Sequence, residues 1–404
     1  MFFRTKKNST NYFVSIGAGI NQIPLILEAR HAGFQVIGVD INPSAPGFYH
    51  CDLKIQESIR DYEDIYIKLG ELLIDGSISA VMTKSFGDAI VTTGFLCEKF
   101  GLPFLPFEEC KKFLNKRVTR KLMTESGIKM PGVITYKPKS KSSGIKKELF
   151  PVVVKPFAGH AKQNVLMIDS PDELNAFFKT SSPADFIIEK YVRGDEIICA
   201  GVIQNGRYNH VAMSDKKTTP RPHFVDTMHI MPSRYAGLAD ETIKTGQALA
   251  DIFRIDTAPV IMEFLVDREG ELCLIEAIPE FGGEFIPDIM IPASTGYNHI
   301  GSLISAVTGG NFSPPSRRAS HSPVVVKYIT GTEGTLASFS IDRVKSMEDI
   351  LFARIFKHIG DRVSLPVENH DRIGVIVSKG KTIEAAIDSA ESAEKEMNIR
   401  IKPD

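Results

Sequence analysis

Two glutamates embedded in apolar strands constrain this chain more than any other feature. Pro259-Val-Ile-Met-Glu-Phe-Leu-Val266 is apolar apart from Glu263, and Leu272-Cys-Leu-Ile-Glu-Ala-Ile278 is apolar apart from Glu276. Asp267-Arg-Glu-Gly270 between them has the composition of a tight turn. A hairpin closed with Val266 facing Glu271 pairs Glu276 with Ile261. Side chains alternate along a strand, so Ile261 and Glu263 share a face, and the two carboxylates become diagonal neighbours about 5.5–8 Å apart at their roots. A one-residue change of register puts them on opposite faces. Burying an unpaired carboxylate is costly, and two side by side also repel. A Lys or Arg for each resolves the conflict. So does a divalent cation, and Mg²⁺ shared with phosphate oxygens is a common form of it.

The bulk properties set bounds. A chain of 404 residues suggests two or three domains. With 43% apolar and 24% charged residues it reads as soluble and globular. A formal net charge of −1 gives no global field pointing to nucleic acid or an acidic membrane. No apolar run reaches the roughly 18–20 residues of a membrane-spanning helix. The basic start Met1-Phe-Phe-Arg-Thr-Lys-Lys7 lacks a following apolar region of signal-peptide length. Cys51, Cys97, Cys110, Cys199 and Cys273 form no CxxC pair and three lie in apolar runs, which predicts reduced core thiols and a cytoplasmic protein.

Along the chain, Asn11–Asp40 reads as a β-α-β unit, with the glycine turn Gly17-Ala-Gly-Ile-Asn-Gln22 and Asp40 closing the second strand. It imitates a dinucleotide-binding fingerprint, except that Gln22 stands where the third Gly or Ala belongs. Ala80–Thr83 predicts a strand, and Ser85-Phe-Gly-Asp88 a capped helix through Phe100. Residues 1–108 are therefore expected to form a doubly wound α/β domain. A second domain, 109–315, opens with Asn115 capping the helix Lys116–Ser126 and is richer in strands, including a hairpin over Gln204-Asn-Gly-Arg207. After a Pro/Ser/Arg-rich linker at Asn311–Pro323, residues 316–404 predict a small α+β unit ending in the helix Thr382–Met397. The expected class is thus α/β with α+β.

Several polar groups sit in or beside strands of the middle domain. Lys155 ends an apolar strand before Pro156-Phe-Ala-Gly-His-Ala-Lys162, where loop N–H groups around Gly159 suit phosphate oxygens and Lys162 adds charge. Glu189-Lys-Tyr-Val192 is a strand end whose backbone suits an adenine edge, with Glu196 following for ribose hydroxyls. Lys216 and Lys217 lie in the polar stretch Ser214–His223, which reads as a lid. Gly282-Gly283 after Glu276 suits an anion or a close backbone approach. Ser85 and Asp88, at a helix start after a strand, suit an acid site. Each of these also reads as ordinary structure: a strand-end lysine, an edge strand, a solvated charge pair, a Gly-Gly turn, a helix cap.

In this order, Asn115-Lys116, Lys155, Glu189–Val192, Glu263 and Glu276 resemble the ATP-grasp superfamily. Ile275-Glu-Ala-Ile-Pro-Glu-Phe-Gly-Gly283 is similar to its IExNPRxGG signature, and Gly360-Asp361, Arg372-Ile-Gly374 and Gly380–Ala386 resemble the C-terminal part of L-amino-acid ligases. The resemblance implies an N-terminal Rossmann-like pre-ATP-grasp domain, a two-part ATP-grasp core and an α+β cap. It implies that Lys116 and Lys155 hold ATP phosphates, that Glu189, Tyr191 and Val192 read adenine, and that Glu196 binds ribose. Glu263 and Glu276 would bind Mg²⁺, with Mn²⁺ an alternative, and Lys216 or Lys217 would supply a further phosphate contact. Ile278 replaces the family's metal-binding Asn, and Glu280 replaces its Arg. Glu280 or Glu284 is a candidate replacement metal ligand, and Arg221, His223 or Arg234 a candidate replacement cation.

The leading expectation is an ATP-dependent carboxylate–amine ligase acting on a small-molecule acid and amine, with a homodimer as default assembly. Open beside it stand a purine-biosynthesis-type ligase or carboxylase, a nucleotide-binding protein without catalysis, and, from Gly17–Asp40, an NAD-dependent oxidoreductase.

Overall fold

The computed structural model of the protein describes residues 10–73, 76–134, 145–157, 163–182, 186–283, 285–310, 312–315 and 321–403. Gly159, Lys162 and Glu284 therefore lie outside the described residues. The apolar strands of the first segment form a parallel sheet: β1 (Thr10–Ile16), β2 (Gln35–Asp40), β3 (Leu53–Gln56) and β4 (Gly76–Met82), in the order β3-β2-β1-β4. The chain winds outward from β1 through β3 and then crosses back to place β4 on the other side of β1. The crevice between the carboxyl ends of β1 and β4 is thus the switch point, where such sheets bind ligands.

The glycine turn after β1 is filled by the chain itself. The Asp40 carboxylate accepts from the N–H groups of Ala18 and Asn42, both at 2.9 Å. The Gln22 amide donates to Ser85 Oγ at 2.7 Å and to the Lys84 carbonyl at 3.3 Å. Asp40 thus closes the turn that suggested a dinucleotide site, and Gln22 ties that turn to the segment after β4. Ser85 does not cap the helix Asp88–Phe100, whose N-cap is Gly87 with no side-chain bond. Its oxygen is held by Gln22 instead.

Two antiparallel sheets build the centre. The smaller has the order β5-β8-β6-β7, with β5 (Val133–Ile134), β6 (Val152–Pro156), β7 (Leu166–Ile168) and β8 (Phe186–Lys190). The larger begins with β9 (Gly194–Gln204), β10 (Arg207–Thr218), β11 (Asp226–Met231), β12 (Ala258–Asp267) and β13 (Leu272–Ile278). Asn205 and Gly206 join β9 to β10 with φ of 50° and 73°, the left-handed pair a type I′ turn demands. The C-terminal segment supplies β14 (Val324–Ile329), β15 (Gly334–Ser338), β16 (Ile350–Ile355), β17 (Arg362–Val363), β18 (Gly374–Lys379) and β19 (Arg400–Lys402). It is not a separate sheet. β14 pairs with β11, so the large sheet runs β13-β12-β9-β10-β11-β14-β18-β16, and only β17-β15-β19 forms its own small sheet. The apolar run Val324–Ile329 covers an edge of β11 that would otherwise leave unpaired backbone groups. Among the described residues, no helix is long and apolar enough to cross a membrane, and all five cysteines are free thiols.

His299 opens the helix His299–Val307 and is buried against Phe281, ring centroids 5.4 Å apart. Burial pushes its pKa down to about 4. The folded state then binds this proton less readily than the unfolded chain, whose value is about 6.5. Its contribution to stability is complete above that value and is lost as pH falls toward 4. Between pH 7 and pH 5 it accounts for about 2 kcal/mol. Denaturant melts of His299→Phe at the two pH values are expected to show that much less acid sensitivity than wild type.

Candidate active site

The hairpin of β12 and β13 brings Glu263 and Glu276 face to face, but by a different route from the simple register. Asp267 N–H donates to the Glu271 carbonyl at 3.0 Å, so the turn is one residue longer and Val266 pairs with Leu272. That slip alone would separate the carboxylates onto opposite faces. A β-bulge then inserts Ile275 between the pairs Phe264–Leu274 and Glu263–Glu276. The two shifts sum to a whole side-chain period, so the glutamates share a face and stand directly opposite rather than diagonal. Arg120 donates to the carbonyl of the bulged residue Ile275 at 3.2 Å, holding the bulge from outside the sheet.

Each carboxylate is held by an ammonium. Lys116, the first residue of the helix Lys116–Glu125, lies 2.8 Å from Glu276. Asn115 caps this helix, accepting from the N–H groups of Arg117 and Val118. Lys216 lies 2.9 Å from Glu263, 3.0 Å from Asp226 and 3.1 Å from Glu196, with its side chain fully buried. Burial alone would lower its pKa, but the three carboxylates outweigh that and hold the ammonium well above the ordinary lysine range. Lys216 is therefore a strand residue of β10, cross-strand from Glu196, and not part of a loop. Asp226 is oriented in turn by Asn369 of the C-terminal segment, through bonds of 3.0 and 2.9 Å.

A second charged group sits in the smaller sheet. Glu189, buried in β8, pairs with Arg120 and, at 2.8 Å, with Lys155 at the end of β6. Its backbone is enclosed between Val133 of β5 and Val153 of β6, so the strand end that faces open space begins at Tyr191 and Val192. Burial, Arg120 and Lys116 push the pKa of Lys155 down against the pull of Glu189. Here one carboxylate serves two buried cations.

Between the two sheets lies a cavity of about 450 Å³ lined by Lys155, Glu189, Tyr191, Val192, Glu196, Lys216, Lys217 and Arg221, among others. Ile275 lines it and also a neighbouring cavity of about 480 Å³, which Lys116, Arg120, Glu276 and the segment Phe86–Asp88 enclose. The two spaces adjoin at the bulge. Arg221 is a more exposed member of the set, 3.3 Å from Asp169. Arg234 pairs at 2.9 Å with Asp195, which lines the first of these cavities. Glu280, just past β13, is half-buried. Burial and the nearby Glu276 and Glu263 push its carboxyl up to about 8, with Lys84 opposing.

Arg120, Asp226 and Lys84 escaped the sequence reading. Arg120 had a signal, since it follows Lys116 by one helical turn and shares its face. Asp226 and Lys84 had none.

Residues 148–288 match the ATP-grasp domain family, and residues 327–402 match L-amino acid ligase C-terminal domain 2. Residues 148–288 therefore form an ATP-grasp domain. Over 156 residues it is 28% identical to D-alanine–D-alanine ligase A of Bacillus cereus, covering 34% of this chain and 50% of that protein. Over 206 residues it is 24% identical to the L-arginine-specific L-amino acid ligase of Bacillus subtilis, covering 48% of this chain and 50% of that protein. The matched span is thus about half the length of each relative. The L-amino acid ligase of Bacillus licheniformis superposes with a TM-score of 0.81 at 19% identity, covering 98% of this chain and 100% of that one. Phosphoribosylglycinamide synthetase of Anaerococcus prevotii gives 0.74 at 18% identity, again covering 98% and 100%. These likenesses establish an ATP-grasp fold. In this ATP-grasp chain the signature positions of Asn and Arg hold Ile278 and Glu280.

Proposed function

We propose that the protein is an ATP-dependent carboxylate–amine ligase, forming an amide or peptide bond and releasing ADP and phosphate. The observation that carries this reading is the convergence of Lys116, Lys155, Lys216 and Glu276 around one pair of adjoining cavities, with Glu263 facing Glu276 across the hairpin and held by Lys216. Adenine lies against Tyr191 and Val192 at the end of β8, with Glu196 near the ribose. Lys155 and Lys116 meet the phosphates, and Lys217 and Arg221 approach from the opposite wall.

The donor set fits a hard divalent cation, because two carboxylates opposed on one sheet face are costly unless neutralised. Glu263 and Glu276 would hold Mg²⁺ or Mn²⁺. The ion would neutralise charge on the phosphate oxygens. Lys216 and Lys116 neutralise these carboxylates now and exchange them for phosphate oxygens when nucleotide and cation enter.

A carboxylate is a poor electrophile at neutral pH. Its oxygen attacks the γ-phosphorus, ADP leaves with the bridging electron pair, and an acyl phosphate results. The amine then attacks the acyl carbon, phosphate departs and a proton is released. The protein's part is positioning and charge neutralisation. The match of residues 327–402 to an L-amino acid ligase domain favours an amino acid as one substrate.

The test is phosphate release from Mg-ATP with a matrix of carboxylic acids, including all amino acids, with and without amines. Release that requires an acid and rises with one amine is the expected result and names the substrates. ATP binding with no release across the matrix would replace the ligase with a nucleotide-binding protein, a reading that the Ile278 and Glu280 positions motivate.

A further inference from the structure

The acid-activation region has an electrostatic problem. Lys116 and Lys216 already pair with Glu276 and Glu263, Glu280 and Asp288 lie close by, and the substrate acid and ATP both bring more negative charge. A cation has to meet the incoming carboxylate on the side away from the nucleotide.

Lys84 stands there. It follows β4 directly, at the carboxyl edge of the sheet beside β1, which is the switch point of this domain. Its side chain is only 3% exposed and crosses to Asp288, in the single π-helical turn Ile286–Met290 that follows the Gly282-Gly283 loop. The Nζ–Oδ1 separation is 3.4 Å, long for a charge-assisted bond, which closes to about 2.7–2.9 Å. Asp288 Oδ1 is buried without a hydrogen bond. Lys84 is also within electrostatic reach of Glu280, as are Glu276 and Glu263. Its main chain is fixed by Gln22, whose amide holds the Lys84 carbonyl and the Ser85 hydroxyl.

We infer that Lys84 is a catalytic residue that binds the substrate acid as its carboxylate anion at the switch point and keeps it aligned during attack on the γ-phosphate. The inference rests on the ligase reading. The ammonium keeps its proton throughout. It donates hydrogen bonds first to the carboxylate and then to the acyl oxygen of the phosphorylated acid, and its loose contact with Asp288 is what it gives up. Gln22, the residue that spoils the dinucleotide fingerprint, acquires a purpose as the strut that places Lys84.

The test uses the full chain and the same phosphate-release assay. Lys84→Met is expected to lower kcat/KM for the acid about 100-fold while Mg-ADP affinity, read by calorimetry, stays within about twofold. Lys84→Arg should recover part of the loss. Because Lys84→Met strands the Asp288 carboxylate, the deciding protein is the double variant Lys84→Met/Asp288→Asn, in which no buried charge is left unpaired there. If Lys84 contacts the acid, the double variant remains near the activity of Lys84→Met. Recovery to wild-type activity would mean that Lys84 only neutralises Asp288, and unchanged acid kcat/KM in Lys84→Met would equally overturn the assignment. Wild-type protein that binds Mg-ADP but releases phosphate with no acid overturns the ligase reading, and the role of Lys84 with it.

Discussion

Glu189→Ala is expected to destabilise the protein by about 3–5 kcal/mol, because it leaves the buried cations Arg120 and Lys155 without their shared carboxylate. Urea denaturation of wild type and variant measures this directly. Burial holds the pKa of Lys155 below the ordinary lysine value even with Glu189 present, so the variant should lower it further. Added Mg-ATP is expected to stabilise the variant more than the wild type, since the phosphates replace the missing counter-charge. A loss below about 1 kcal/mol would show that water reaches this group and that the burial argument is wrong. Replacing Arg120, Lys155 and Glu189 together by apolar residues of similar volume should cost far less stability and remove nucleotide binding. That contrast separates the group's role in folding from its role at the site.

Glu276→Gln is expected to lower acid-dependent phosphate release by about 10²–10³-fold at saturating ATP, the scale on which a charge-stabilising group at a reacting centre acts. Glu263→Gln should behave alike, since the two carboxylates are cross-strand partners on one face. The isosteric amide keeps the shape of each side chain, so melting temperature should change little. Mn²⁺ titrated into the ADP-bound variants gives a second readout that does not depend on turnover, with weakened binding expected in both. Normal Mn²⁺ affinity in Glu276→Gln would remove that residue from the cation site and leave it as a partner of Lys116, 2.8 Å away.

The sequence alone carried the outlines of this site because local rules govern them. Strand alternation placed Glu263 and Glu276 in apolar surroundings, Asn115 marked the start of the helix that carries Lys116, and Asn205-Gly206 marked the hairpin between β9 and β10. The order of these pieces along the chain was enough to suggest the superfamily. It also showed where this chain departs, at Gln22, Ile278 and Glu280. Such features are legible because each depends on residues close together in sequence.

What tertiary structure decided is how distant side chains meet. The sequence predicted the correct face for the two glutamates, but through a register that does not occur. A longer turn and the Ile275 bulge each shift the pairing by one residue, and the bulge is held by Arg120, 155 positions away in the chain. Likewise Lys216 read as part of a polar lid, whereas it is buried among Glu196, Asp226 and Glu263 on three other strands. The C-terminal segment, which the sequence marks as a small α+β unit, also adds three strands to the large sheet and sends Asn369 to orient Asp226. Period and capping chemistry are written locally, so a chain states them by itself. The partner of a buried charge is set by which surfaces pack together, and only the folded molecule determines that.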